Sequence, residues 1–125
     1  MATELLVTNR INGGEELLAA LDRARFPVDA ALWYSHEGTW RYLIGSLVVD
    51  KQGPKEAYRR VNQVLRRGVG GFNLSDITVL SSHDPLLRLL RSAVSTPAQA
   101  VAGIRFGGNT INNVFIEDAY IYRLA

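Results

Sequence analysis

Residues 103–125 constrain the fold more than any other stretch of this chain. Gly103-Ile104-Arg105-Phe106 and the run from Val114 to Leu124 are both β-rich, and Gly107-Gly108-Asn109-Thr110-Ile111-Asn112-Asn113 lies between them. Glycine and asparagine tolerate positive φ, so the pattern predicts a closing β-hairpin. Its loop also crowds in three amides, Asn109, Asn112 and Asn113, which a plain turn does not need.

The same punctuation recurs upstream. Ala30–Ser35 and Trp40–Val49 flank His36-Glu37-Gly38-Thr39, a second predicted hairpin. The second of these strands is apolar on both faces near its end, which suits a central position in a sheet. Ile77–Leu80 reads as a short buried strand, and Leu5-Leu6-Val7 as a short edge strand.

Three segments have helical patterning. Glu15–Arg25 places Leu17, Leu18 and Leu21 on one face, with acids first, arginines last and Pro27 beyond. From Pro54 to Arg67, Ala57, Tyr58, Val61, Val64 and Leu65 form an amphipathic stripe. Asp84-Pro85 supplies a cap and a first-position proline for a helix running from Leu86 to Ser95. The expected fold is a single α+β domain over residues 1–125, in the order α-β-β-α-β-α-β-β. It has a five-stranded mixed sheet, three helices and a closing C-terminal hairpin.

If both strand-helix-strand links join parallel strands, strands ending at Asp50, Ser81 and Phe106 finish on one sheet edge. Loops 50–53, 81–84 and 107–113 then converge where open α/β sheets bind ligands. Asp50, Lys51, Ser82, His83, Asn109, Asn112 and Asn113 become candidates for a small anionic ligand or a hydrolytic site. Ser82-His83-Asp84 contains the residue types of a catalytic triad, but sequence neighbours rarely orient one another, and Asp84 has a capping role. Backbone N–H groups at that helix start could hold a phosphate or carboxylate. Gly68-Val69-Gly70-Gly71 follows a helix, so it does not fit a dinucleotide fingerprint.

Charge is unevenly spread. Residues 1–50 carry a balance of −3, residues 51–91 of +5, and residues 92–125 are neutral. Lys55, Arg59, Asn62 and Arg66 recur along one predicted helix face, flanked by Arg60 and Arg67 and opposed by Glu56 alone. Such a face suits nucleic-acid phosphates, or an acidic protein surface such as residues 1–50 of a second copy. Tyr120 and Tyr122, two apart on the last strand, are candidate partner-contact aromatics. Glu117 is expected to pair with Arg105 across the hairpin.

The absence of cysteine excludes disulfides and thiolate chemistry. His36 and His83 fall on opposite edges, so no metal site and no cofactor are expected. The Met1–Leu6 start lacks the features of a signal peptide, and no apolar run is long enough to span a bilayer. These features predict a small soluble cytoplasmic interaction protein without catalysis. It would bind a protein partner or a second copy, with nucleic-acid binding and the loop-edge ligand site as alternatives.

Overall fold

The computed structural model describes residues 6–125. The elements are α1 (Thr8–Arg23), β1 (Ala30–His36), β2 (Thr39–Ser46), α2 (Leu47–Gln52), α3 (Pro54–Leu65), β3 (Ile77–Ser81), α4 (Pro85–Arg91), β4 (Ile104–Ile111) and β5 (Val114–Leu124). A 3₁₀ turn over Leu74–Asp76 precedes β3. The architecture is α+β, with a five-stranded mixed sheet closed by a C-terminal hairpin.

Among the described residues four α-helices form where three were expected, and α4 ends at Arg91, short of the expected Ser95. α1 starts at Thr8 and runs through Gly13-Gly14, which the sequence pattern placed ahead of the helix. Both glycines are buried: Gly14 lies on the sheet against Trp33 and Tyr122, and Gly13 against the segment at Gly70 and Phe72. β2 stops at Ser46, and the apolar run Leu47-Val48-Val49 turns into α2, with Ser46 Oγ accepting from Val48 N–H at 3.2 Å. The expected strand at Leu5-Leu6-Val7 begins outside the described residues, and Leu6 and Val7 carry no strand.

The strand order is β3-β2-β1-β5-β4. β2 and β3 run parallel, while β1–β2, β1–β5 and β4–β5 are antiparallel. One crossover therefore joins parallel neighbours, as expected, but β4 runs opposite to β3. The reason lies in the link after α4. Thr96 N–H donates to Leu124 O, Leu124 N–H to Thr96 Oγ1, and Ala102 N–H to Tyr122 O. The chain thus crosses above the ends of the central strands and enters β4 from the edge where β2 and β3 finish.

Each sheet face has its own core. α1 and α3 cover the first face with Leu17, Leu18, Leu21, Val61 and Val64 against Trp33, Tyr42, Ile44 and Tyr122. α4 covers part of the second face, where Leu87 and Leu90 meet Leu32, Leu43 and Ile121. No described helix is long and apolar enough to cross a membrane.

Candidate partner-binding surface

The antiparallel entry of β4 splits the expected loop edge. Asp50 and Lys51, expected in a loop, lie instead on α2, and they share the upper edge, where β2 and β3 end, with segment 81–84. Of the expected loop 107–113, residues 107–111 extend β4 instead and only Asn112-Asn113 form the turn, on the lower edge beside the first hairpin turn. Asp50, Lys51, Ser82 and His83 therefore do not meet Asn109, Asn112 and Asn113.

At the upper edge the polar groups are committed to one another. Ser81 Oγ donates to Asp50 Oδ1 at 2.5 Å and accepts from His83 N–H at 3.0 Å. Ser82 Oγ donates to Asp29, whose other oxygen meets Arg91 Nη2 at 3.0 Å. Asp84 caps α4 by accepting from Leu86 N–H at 2.9 Å. His83 and Lys51 are exposed. Within the triad-like run, Ser82 turns to Asp29 and Asp84 to the start of α4, while the His83 side chain is exposed.

Beside this network lies an open cavity of about 330 Å³, bordered by Asp22, Arg25, Asp29, Leu47 and Arg123. Arg123 is only 1% exposed and binds Asp22 through both Nη atoms, at 3.0 and 2.9 Å. It also donates to the carbonyls of Val28 and Ala100. Nothing in the sequence flagged this pair, because its members lie 101 positions apart. Among the described residues, no group of three or more His, Cys, Asp or Glu side chains converges to hold a metal.

The basic band remains accessible. Lys51, Lys55, Arg66 and Arg67 are exposed and enter no ion pair among the described residues. Arg59 pairs with Glu56 at 2.6 Å, which holds the Glu56 carboxyl below its ordinary range, and Arg60 lies over the Phe26 ring at 5.1 Å. Asn62 is half-buried. Other arginines serve the fold: Arg10 with Asp76, Arg91 with Asp29, Arg105 with Asp118 and Arg123 with Asp22.

The expected aromatic contact pair is internal. Tyr122 is fully buried, and Tyr120, half-buried, packs edge-on to it at 5.3 Å. Burial raises the Tyr122 phenol well above its ordinary range, and its hydroxyl donates to Ile11 O at 2.5 Å. The last strand spends this face on the α1 side of the sheet.

The lower edge has the most distinctive geometry. Both hairpins close through two-residue turns, Glu37-Gly38 and Asn112-Asn113, with positive φ at all four positions. This is the turn form that matches strand twist. Asn112 and Asn113 are thus turn-formers, and Asn109 Nδ2 donates to Gly107 O at 2.8 Å. β1 pairs with β5 only as far as Asp118, so β5 from 114 to 117 pairs with β4 alone and forms an arm whose Ile116 is buried and whose tip, residues 112–115, is exposed.

Two carboxylates brace that arm. Glu117 Oε2 accepts from Glu37 N–H at 2.6 Å, and Oε1 from Gly38 N–H at 3.3 Å, which staples the arm to the first turn. Arg105 pairs with Asp118, in place of the expected Glu117, through Nε and Nη2 at 2.8 and 2.6 Å. Arg105 sits opposite Tyr120, so its diagonal neighbour on that face is Asp118, while Glu117 faces the other side. The bond from Arg105 holds the Asp118 carboxyl below its ordinary range. At the tip, Val114 is 44% and Phe115 59% exposed.

A second concavity of about 270 Å³ opens on the second sheet face, where α4 leaves it uncovered. Tyr34, Leu43, Leu80 and Leu86 form its floor and walls, and it reaches His36 and Thr39 at the lower edge. No protein-family model, curated protein or solved structure matches this chain.

Proposed function

We propose that this chain is a non-catalytic interaction protein that binds another protein, with the β4–β5 arm as its contact element. The observation that carries this reading is the exposure of Val114 and Phe115, one on each face of the arm's tip. Single exposed apolar residues are ordinary on protein surfaces, whereas large ones on both faces of a braced hairpin tip offer an anchor that loses little freedom on binding. The test is a photo-crosslinking residue placed at Phe115 in producing cells, with a control at exposed Gln63 on α3. A discrete protein adduct specific to position 115, reproduced with the purified pair, is expected. No adduct at 115 refutes the reading.

A second reading, nucleic-acid backbone binding, is favoured by Lys51, Lys55, Arg66 and Arg67, exposed cations of the basic band that enter no ion pair among the described residues. Four phosphate contacts give a duplex salt slope of about −3.6, hence about a 150-fold affinity loss over a fourfold rise in salt. Fluorescence anisotropy with a labelled duplex and a labelled single strand measures it. Absence of binding at low salt rejects it.

A further inference from the structure

We infer that the cavity at the C-terminal end of α1 binds a small organic carboxylate. Arg25 and Arg123 hold its head, and Phe26, Val28 and Leu47 face its apolar body. This site is separate from the β4–β5 arm and goes beyond the interaction reading above.

Unspent donors decide the class of ligand. Both oxygens of Asp22 are taken by Arg123, and those of Asp29 by Arg91 and Ser82. The carboxylates that border the cavity are therefore already engaged as acceptors. Arg123 spends four of its five N–H groups: Nε on Ala100 O, Nη1 on Asp22 and on Val28 O, and Nη2 on Asp22. The second hydrogen on Nη2 meets no acceptor among the described residues. In a planar guanidinium it runs alongside Nε–H, hence towards segment 98–100, and Ala98 and Gln99 border the cavity. A buried donor left open in this way calls for an acceptor oxygen.

Arg25 supplies the second donor group. It is exposed, borders the same cavity and enters no ion pair among the described residues. Its backbone is unusual for an arginine. α1 ends in a Schellman turn, with Arg25 N–H donating to Asp22 O and Phe26 N–H to Leu21 O, both at 3.0 Å. Arg25 occupies the left-handed position of that turn at φ 59°, where glycine is the usual residue and a side chain is strained. Strained backbone of this kind clusters at ligand clamps.

The walls set the body of the ligand. Phe26, Pro27, Val28, Leu47 and Ala98 give apolar surface to a cavity of about 330 Å³. An apolar cavity of about 150 Å³ accepts benzene, so one ring with its carboxylate fits here. Asp22 and Asp29 at the border repel a doubly charged phosphate more than a single charge.

Benzoate is the probe. Titrated into ¹⁵N-labelled protein, it is expected to shift the amides around Arg25, Leu47, Gln99 and Arg123, saturating with a dissociation constant of about a millimolar. Neutral benzamide, of the same shape, and inorganic phosphate should each bind about tenfold more weakly or less. Arg25→Gly separates binding from folding. Glycine relaxes the left-handed turn, so this variant should melt at or above the wild-type temperature while its benzoate affinity falls about tenfold. Four results overturn the inference: no saturable shift, shifts centred on the basic band 51–67, benzamide or phosphate binding as well as benzoate, or an unchanged benzoate affinity in Arg25→Gly.

Discussion

Replacing Gly14 with alanine should destabilise the fold, against the ordinary gain from that substitution inside a helix. Alanine exceeds glycine in helix propensity by about 0.9 kcal/mol. At Gly14, however, an added Cβ would lie 2.8 Å from Trp33 Nε1 and from Tyr122 Cζ, and closer still to Tyr122 Oη. Those two groups anchor α1 to the sheet: Trp33 Nε1–H donates to Arg10 O at 2.9 Å and Tyr122 O–H to Ile11 O at 2.5 Å. Tyr42 O–H adds a third anchor at the carbonyl of Gly14 itself, at 2.8 Å. Displacing the first two leaves buried donors unmet at about 1–3 kcal/mol each, so after the propensity gain the net cost is about 1–5 kcal/mol. Equilibrium urea unfolding followed by tryptophan fluorescence measures it. Exposed Asn12→Ala on the same helix is the control, with a gain of a few tenths of a kcal/mol expected at about constant m. In a Tyr122→Phe background the cost of Gly14→Ala should shrink by about 1 kcal/mol, because one of the displaced groups is already gone. A Gly14→Ala protein as stable as wild type, or a cost unchanged by Tyr122→Phe, would show that this contact does not hold α1 in place.

Asp22→Asn leaves the buried Arg123 guanidinium without its carboxylate and should cost about 3 kcal/mol in the same urea assay. Glu117→Ala removes the staple between the two turns; hydrogen exchange should speed up at the Glu37 and Gly38 amides and along 109–116, with the Trp33 strand unchanged. Burial raises both the Tyr42 and Tyr122 phenols, so the native state keeps protons that the unfolded chain releases above about pH 10. Their contribution is whole below that pH and falls as pH rises towards the native values, by about 1.4 kcal/mol per unit per phenol. Urea midpoints at pH 9, 10 and 11 should drop more steeply for wild type than for Tyr122→Phe, and parallel curves would contradict the assignment.

Local chemistry in the chain announces its elements better than its connections. Both hairpins were legible because tight turns need residues that accept positive φ, and Glu37-Gly38 and Asn112-Asn113 supply them. α4 was legible from Asp84-Pro85, whose side chain and ring set the first helical turn. The start of α1 was not, because Gly13-Gly14 looks like a breaker until the aromatic layer beneath it is known. α2 was missed for a related reason: Leu47-Val48-Val49 has no period to distinguish a helix from the end of a strand. The direction of β4 depends on hydrogen bonds from Thr96 and Ala102 to β5, which no local pattern encodes. That one reversal separates the asparagines of the arm from Asp50, Ser82 and His83.

The charges carry the same lesson into function. The sequence shows a basic band from 51 to 67 but not which of its cations the fold consumes. Arg59 is taken by Glu56, and Arg60 lies against Phe26. Lys51, Lys55, Arg66 and Arg67 remain. At the other end of the chain the fold consumes more: Tyr122 goes to α1, Asp118 to Arg105 and Glu117 to the first turn, while Asn112 and Asn113 form the second. Only Val114 and Phe115 are left facing water as large apolar side chains on that arm. Two surfaces thus stay unspent, one cationic and one apolar, with opposite responses to salt. Screening weakens phosphate contacts on the first, whereas burial of the second is insensitive to ionic strength or strengthened by excluded salts. The salt dependence of whatever association this protein makes therefore identifies which of the two surfaces is engaged.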